Sequence, residues 1–403
     1  IIYLQILKKS KNIMRTVLKK TWYLMSNLKI SMNVQNKAGP WGGGNLFISN
    51  LKRYLEEKGN DVIFNLFDPD IDIILILDPR MLSESVLYST KEIEFYKRNI
   101  NNNCKVVHRI NECDERKGTS VINDYYIQAN KVADHTVFVS QWLKNIFINS
   151  GFSSKNFDVI MSGANSEIFN YHERAVWKKN EPLRIVTHHW GNNLNKGFDI
   201  YSYLDRSIQE KYKNEIKFTY IGNVNKDLEF NSTEVIKPKA GKELANLIKQ
   251  NHIYLTASIN EPSGNHHIEG AQCGLPILYR NSGGMPEFTE GFGVEFQGIE
   301  DFFQSLDEIK NVYPSLFEKM KDYPFNSEAM SKEYLDLFSK LALLSCEPQL
   351  TDKNTMFKKS FFANLIYFLN KFLNIIKLYK LKVRIKKYLL IKIPVLKNER
   401  NVV

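Results

Sequence analysis

The segment that most constrains the fold begins with an apolar stretch at 253–257. It continues through Glu261-Pro-Ser-Gly-Asn-His-His-Ile-Glu269 and Gly270-Ala-Gln-Cys-Gly-Leu-Pro276 into a second apolar stretch at 276–279. Short apolar runs on either side of a Pro/Gly turn and a helix-length polar stretch read as strand, loop, helix, strand. Such a unit belongs to a parallel sheet covered by helices. A helix opening near Asn265 aims unpaired backbone N–H groups above the end of the preceding strand. Glu261 then stands at the strand's carboxyl end, and Glu269 lies one to two turns inside the helix. Two acids around such a turn suit a phosphorylated ligand with hydroxyls at both ends, such as a nucleotide sugar.

The same alternation recurs along the chain. A first strand is expected within 26–34, followed by the Gly-rich Lys37-Ala-Gly-Pro-Trp-Gly-Gly-Gly-Asn45 and a helix over 46–58 with apolar residues at helical spacing. Gly59 is a helix stop. Further strands are expected at 62–64, 71–77, 105–107 and 136–139, and in a second set at 183–187, 217–222, 253–257 and 276–279. The expected fold class is therefore α/β, with two doubly wound domains facing across a cleft. Ligands bind in such folds at the carboxyl ends of the strands. The boundaries read as a basic segment 1–29, a first domain 30–165, a linker 166–182, a second domain 183–350 with a closing helix at 326–346, and a tail 351–403. Asp68-Pro-Asp70 reads as a turn.

Charge separates the ends from the body. The 403 residues carry a net +11, but 353–403 hold 13 Lys/Arg against Glu399 alone, and 1–29 hold seven Lys/Arg and no acid. Subtracting both leaves the body at −8. Nucleic acid is therefore not an expected partner of the body. The Lys-, Leu-, Ile- and Phe-rich tail reads as a basic amphipathic helical segment suited to an anionic membrane surface. No stretch supplies the roughly 20 apolar residues of a spanning helix. Cys104, Cys113, Cys273 and Cys346 show no C-x-x-C pairing, so no disulfide or zinc framework is expected, and a reducing cytoplasmic setting is. His252, His266 and His267 lack an acid at the spacing a helical metal site needs, so no metal is expected.

The ordered set of the Glu261–Glu269 pair, a small-residue helix ending in Gly274-Leu-Pro276, and Gly283-Gly-Met-Pro-Glu287 resembles the donor site of GT-B-fold glycosyltransferases, specifically retaining enzymes of glycosyltransferase family 4. The resemblance covers roughly 30–346, including Val139-Ser140 and the junction Ser162-Gly-Ala-Asn-Ser-Glu-Ile-Phe169. It implies a hexosyltransferase-type enzyme that moves a sugar from a nucleotide-diphosphate donor to a glycan or lipid-linked glycan. It implies a cytoplasmic enzyme of polysaccharide biosynthesis, peripheral on the inner membrane face, with no cofactor and no metal.

By resemblance, Glu261 contacts the donor sugar and Glu269 holds the ribose hydroxyls. The backbone of Gly264, Asn265 and His266 meets the pyrophosphate. Lys196 neutralises the departing phosphate. His108, taken as closing the strand at 105–107, stands near sugar and acceptor. Gly43 and Gly44 approach the diphosphate from the first domain. His189 and Trp190 are candidate ligand contacts. The chain departs from the family pattern in three places: Gly191 replaces an Arg before Lys196, Pro-Ser-Gly replaces the usual turn after Glu261, and Asn165 replaces an Asp. Donor identity stays open, as do a sugar-nucleotide epimerase and a non-catalytic nucleotide-sugar-binding protein.

Overall fold

The protein is described from a computed structural model, which covers residues 27–35, 43–80, 83 and 85–344. Gly42, most of the basic segment 1–29, and the tail 351–403 lie outside the described residues.

The first domain runs β1 (Lys29–Met32), α1 (Gly43–Glu57), β2 (Asp61–Ile63), β3 (Ile73–Ile76), α2 (Thr90–Asn99), β4 (Lys105–Ile110), α3 (Asp114–Lys117), α4 (Ile122–Ala129), β5 (His135–Phe138), α5 (Gln141–Asn149) and β6 (Phe157–Val159). Its strands form one parallel sheet in the order β2-β1-β3-β4-β5-β6. The second domain runs β7 (Leu183–His189), α6 (Phe198–Ser207), β8 (Ile216–Gly222), β9 (Glu234–Ile236), α7 (Gly241–Lys249), β10 (Ile253–Thr256), α8 (Asn265–Gln272), β11 (Ile277–Arg280), α9 (Met285–Thr289), β12 (Gly293–Phe296) and α10 (Phe302–Lys319). Its parallel order is β12-β11-β10-β7-β8-β9. The expected class is observed: α/β, with two doubly wound domains.

Local chemistry explains the elements. All four residues of β3 are buried, as are all four of β10, because helices cover both faces of a central parallel strand. In α1 the buried stripe is Phe47, Ile48, Leu51 and Leu55, and Gly59 beyond it takes φ 84°. Helix α2 opens on a capping box made by Ser89 and Glu92. Asp68 and Asp70 form the expected turn, both ion-paired with Lys29 at the head of β1.

The last helix, α11 (Ser327–Leu344), differs from expectation. It does not close the second domain. Met330, Tyr334, Leu337, Phe338, Leu341 and Ala342 join Phe47, Leu51 and Leu55 of α1 in the first domain's core. The chain therefore passes between domains twice, side by side: Ser327 N–H donates to the Ala164 carbonyl at 2.7 Å. A Cβ on Gly163 would lie 2.1 Å from the Asn326 carbonyl oxygen, so this crossing requires glycine.

Phe338 is fully buried in that cluster. Phe338→Ala is expected to cost about 3–5 kcal/mol, with loss of amide-exchange protection in β1 and β3 before β7 and β10. Loss of protection first in β7 and β10 would return α11 to the second domain.

Candidate active site

The strand order reverses at β1/β3 in the first sheet and at β7/β10 in the second, the positions where such sheets bind ligands. Between the domains lies a cavity of about 370 Å³ lined from both sides. Of the expected site residues, Glu261, Lys196, Gly43, Gly44, Gly264, Asn265, His266, Glu269, His189 and Trp190 line it; His108 does not.

Glu261 follows β10 by way of Asn260, a non-glycine residue at φ 52°. Its backbone carbonyl accepts from Gly284 N–H at 2.9 Å, which ties the Gly-Gly-Met-Pro-Glu turn beneath it. Gly264 takes φ 60°, and a Cβ there would meet Glu261 Cγ at 2.8 Å and His266 Cε1 at 2.9 Å. No side chain caps α8, and Gly264, Asn265 and His266 at its start line the cavity, where unpaired helix N–H groups suit an anion. Lys196 ends a 3₁₀ turn, Leu194–Lys196, that seats on the end of β10: Ile259 N–H donates to the Asn195 carbonyl at 2.7 Å. A Cβ on Gly197, at φ 96°, would strike the Ala257 backbone at 2.5 Å. That packing puts Lys196 Nζ 2.7 Å from Glu261 Oε2.

A second cation comes from the opposite domain. Arg116, on α3, donates from Nε to Glu261 Oε1 at 3.2 Å. The loop carrying it is knotted by Asp114, whose carboxylate accepts from the N–H groups of Val121, Ile122 and Asn123. It is also docked across the cleft, because Asn195 and Asn260 donate to the carbonyls of Arg116 and Glu115. Burial would push the Glu261 carboxyl up, but Lys196 and Arg116 more than reverse this and hold it well below the usual carboxylate range. Burial, with the nearby Arg116 charge, pushes the Lys196 ammonium down against the pull of Glu261.

Glu269, buried on α8, lies 2.8 Å from His188 Nε2. The Tyr254 hydroxyl accepts from His188 N–H at 3.1 Å and lies 3.0 Å from Nδ1. Accepting at one and donating at the other leaves the ring's Nε2–H to donate to Glu269. Burial pushes His189 and His266 well below their ordinary value, so both are neutral acceptor–donor groups. His189 contacts the Tyr201 hydroxyl at 2.8 Å and His266 the Thr256 hydroxyl at 2.7 Å. Among the described residues no group of three or more His, Cys, Asp or Glu is placed to hold a metal.

On the first-domain wall, Gly43 abuts α8: a Cβ there would lie 3.0 Å from Asn265 Oδ1, whereas Gly44 faces open space. His108 is placed elsewhere. Strand β4 runs on to Ile110, so His108 sits mid-strand rather than closing it. Its Nδ1–H donates to Asn130 Oδ1 at 2.9 Å, and its ring stacks on Tyr126. Burial pushes it down to about 4. From this segment the cavity is lined instead by Arg109, near the end of β4, and by Asn111 and Glu112 just past it. Sequence reasoning missed Arg109, Asn111 and Arg116. The last lies in Asp114-Glu-Arg-Lys117, which reads as a solvated charge cluster; the bare Gly191 was the one hint that a cation must come from elsewhere.

No family model matches the chain. Solved structures do match it. They include the catalytic domain of starch synthase IV from Arabidopsis thaliana bound to ADP and acarbose (TM-score 0.58, 11% identity, 79% of this chain and 100% of that one). Anabaena HepE in complex with UDP (0.57, 13%, 78% and 100%) and a glycosyltransferase from Rickettsia africae (0.55, 13%, 78% and 99%) also match. The fold is that of the GT-B glycosyltransferases. Among curated proteins, the gpi3 subunit of the phosphatidylinositol N-acetylglucosaminyltransferase of Schizosaccharomyces pombe is 23% identical over 132 residues, 33% of this chain and a quarter of that protein.

A carboxyl held low in the folded state stabilises the fold above its unfolded value, and the gain is lost as pH falls through the folded one. For Glu261 the unfolded reference is 4.5. The stability margin of the wild type over Glu261→Gln, from denaturant unfolding, is expected to be flat above about pH 5 and to shrink on acidification below it. A margin that grows on acidification would contradict the ion-paired carboxylate.

Proposed function

We propose that the chain is a retaining glycosyltransferase of the family 4 type. It moves a sugar from a nucleotide-diphosphate donor to a hydroxyl of a glycan or lipid-linked glycan. The observation that carries this reading is Glu261, bound by Lys196 and Arg116 from opposite domains beside the uncapped N-terminus of α8.

Transfer requires charge to be neutralised as the diphosphate departs. Two buried cations and the N–H groups of Gly264, Asn265 and His266 supply that charge, and charge-assisted contacts to phosphate are stronger than neutral ones. The arrangement is sufficient without a metal. With a donor bound, Lys196 and Arg116 turn to the diphosphate, and Glu261 is released to orient a sugar hydroxyl. Glu269, fixed by His188, holds the ribose hydroxyls. His189 and Trp190 bound the donor, and Gly43 and Gly44 close on the diphosphate. The acceptor hydroxyl attacks on the face the diphosphate leaves, and a diphosphate oxygen takes its proton. Asn111, rather than His108, faces the sugar from the first domain.

The starch synthase, HepE and gpi3 proteins support a nucleotide-sugar substrate by their ligands and names. Attachment to an anionic membrane surface through 351–403, on the cytoplasmic side, belongs to the same proposal and rests on the charge of that segment. No helix among the described residues is long and apolar enough to cross a membrane.

The test is a thermal-shift screen of UDP-, GDP- and ADP-sugars, then transfer assays on anionic liposomes carrying lipid-linked glycans. One donor class is expected to raise the melting temperature. Lys196→Ala and Arg116→Ala are each expected to lower kcat/KM by on the order of 10²-fold or more, and removal of 351–403 to release the protein from liposomes. No shift with any donor, or full transfer in both variants, would contradict the reading; retained liposome binding would contradict the tail's role.

A further inference from the structure

Among the described residues, the charged side chains lining the cleft are paired with an opposite charge or a histidine, with one exception. Lys117 pairs with Glu112, Lys196 and Arg116 share Glu261, and Glu269 holds His188. Arg109 has no carboxylate partner among the described residues, although it is only 6% exposed and its Nε is fully enclosed without a hydrogen bond. Its guanidinium carbon lies over the Phe47 ring on α1, 4.0 Å from the ring centre, a cation–π contact. The neutral Tyr334 hydroxyl is its polar neighbour and favours the charged guanidinium against the cost of burial.

A buried cation without a counter-charge is costly, and a guanidinium seated over an aromatic ring keeps N–H groups arranged as a fork matched to an oxyanion. Arg109 lines the cavity from the first domain, on the wall that also carries Asn111 and Ser162, while Lys196 and α8 belong to the second. The two sheets thus set separate positive groups on separate walls.

We propose that Arg109 forms a second anion subsite in the cleft, which takes a phosphate or carboxylate carried by the acceptor. The substrate class that follows is an acidic acceptor: a lipid phosphate, a phosphorylated glycan or an acidic sugar. The word acceptor rests on the transferase reading; the subsite itself does not.

The experiment is a calorimetric titration of inorganic phosphate into the full chain, the Arg109→Gln and Arg109→Lys variants, and Lys196→Gln. Arg109→Gln is expected to abolish a phosphate-binding event that Lys196→Gln retains. Arg109→Lys, which keeps a cation over Phe47 and so preserves the fold if Gln does not, is expected to weaken it about tenfold, because a point charge replaces the fork. Competition of that event by geranyl phosphate, glucose 6-phosphate or glucuronate then identifies which acidic class the subsite prefers. Phosphate binding unchanged in both Arg109 variants would overturn the proposal. So would no phosphate binding by the wild type, or one event abolished equally by Arg109→Gln and Lys196→Gln, which would put both cations on a single diphosphate. None of these readouts requires transfer, so a failed transferase reading would leave this result standing and the reverse.

Discussion

One carboxylate holds the two domains' charges together. Glu261 accepts from Lys196 on its own domain and from Arg116 on the other, with all three groups largely removed from water. Two buried cations on one acid leave excess positive charge at the mouth of an uncapped helix. Burial makes that excess expensive, and a bound polyanion relieves it. The close turns around the site serve this arrangement. Gly197 lets the lysine turn sit on the end of β10, Gly264 brings α8 against Glu261, and the Asp114 knot presents Arg116 from across the cleft.

The second constraint is the double crossing between domains. Ala164 and Ser327 are hydrogen-bonded where the chain passes over and returns, and α11 anchors the return in the first domain's core. Glu287, on α9, reaches the other way and accepts from the N–H groups of Gln141 and Trp142 at the start of α5, both at 2.7 Å. The donor-side loop is thereby pinned to the first domain's helix terminus, so the cavity walls are positioned by contacts outside the cavity itself.

Most of the second-domain wall was legible in the sequence, because its chemistry is local: Glu261, Gly264 and Glu269 fall on one strand–turn–helix unit. The central strands were legible for the same reason, as continuous apolar runs. The edge strands β6, β9 and β12 were not. They span three or four residues and are partly exposed, so no apolar run marks them. The end of β4 was misjudged because His108 and Arg109 break the apolar run, yet both are buried, one on Asn130 and the other on Phe47. The helix at α11 was legible, but not which domain it would pack on. Arg116 was hidden because its partner lies 145 positions away.

The central claim is that Glu261 occupies the cations a diphosphate will take. The most direct measurement is the affinity of UDP, GDP and ADP, without sugar, for the wild type, Glu261→Gln, Lys196→Gln and Arg116→Gln. Removing the competing carboxylate should tighten nucleoside diphosphate binding, while removing either cation should weaken it. Equal or weaker binding by Glu261→Gln, with the cation variants unchanged, would contradict the account.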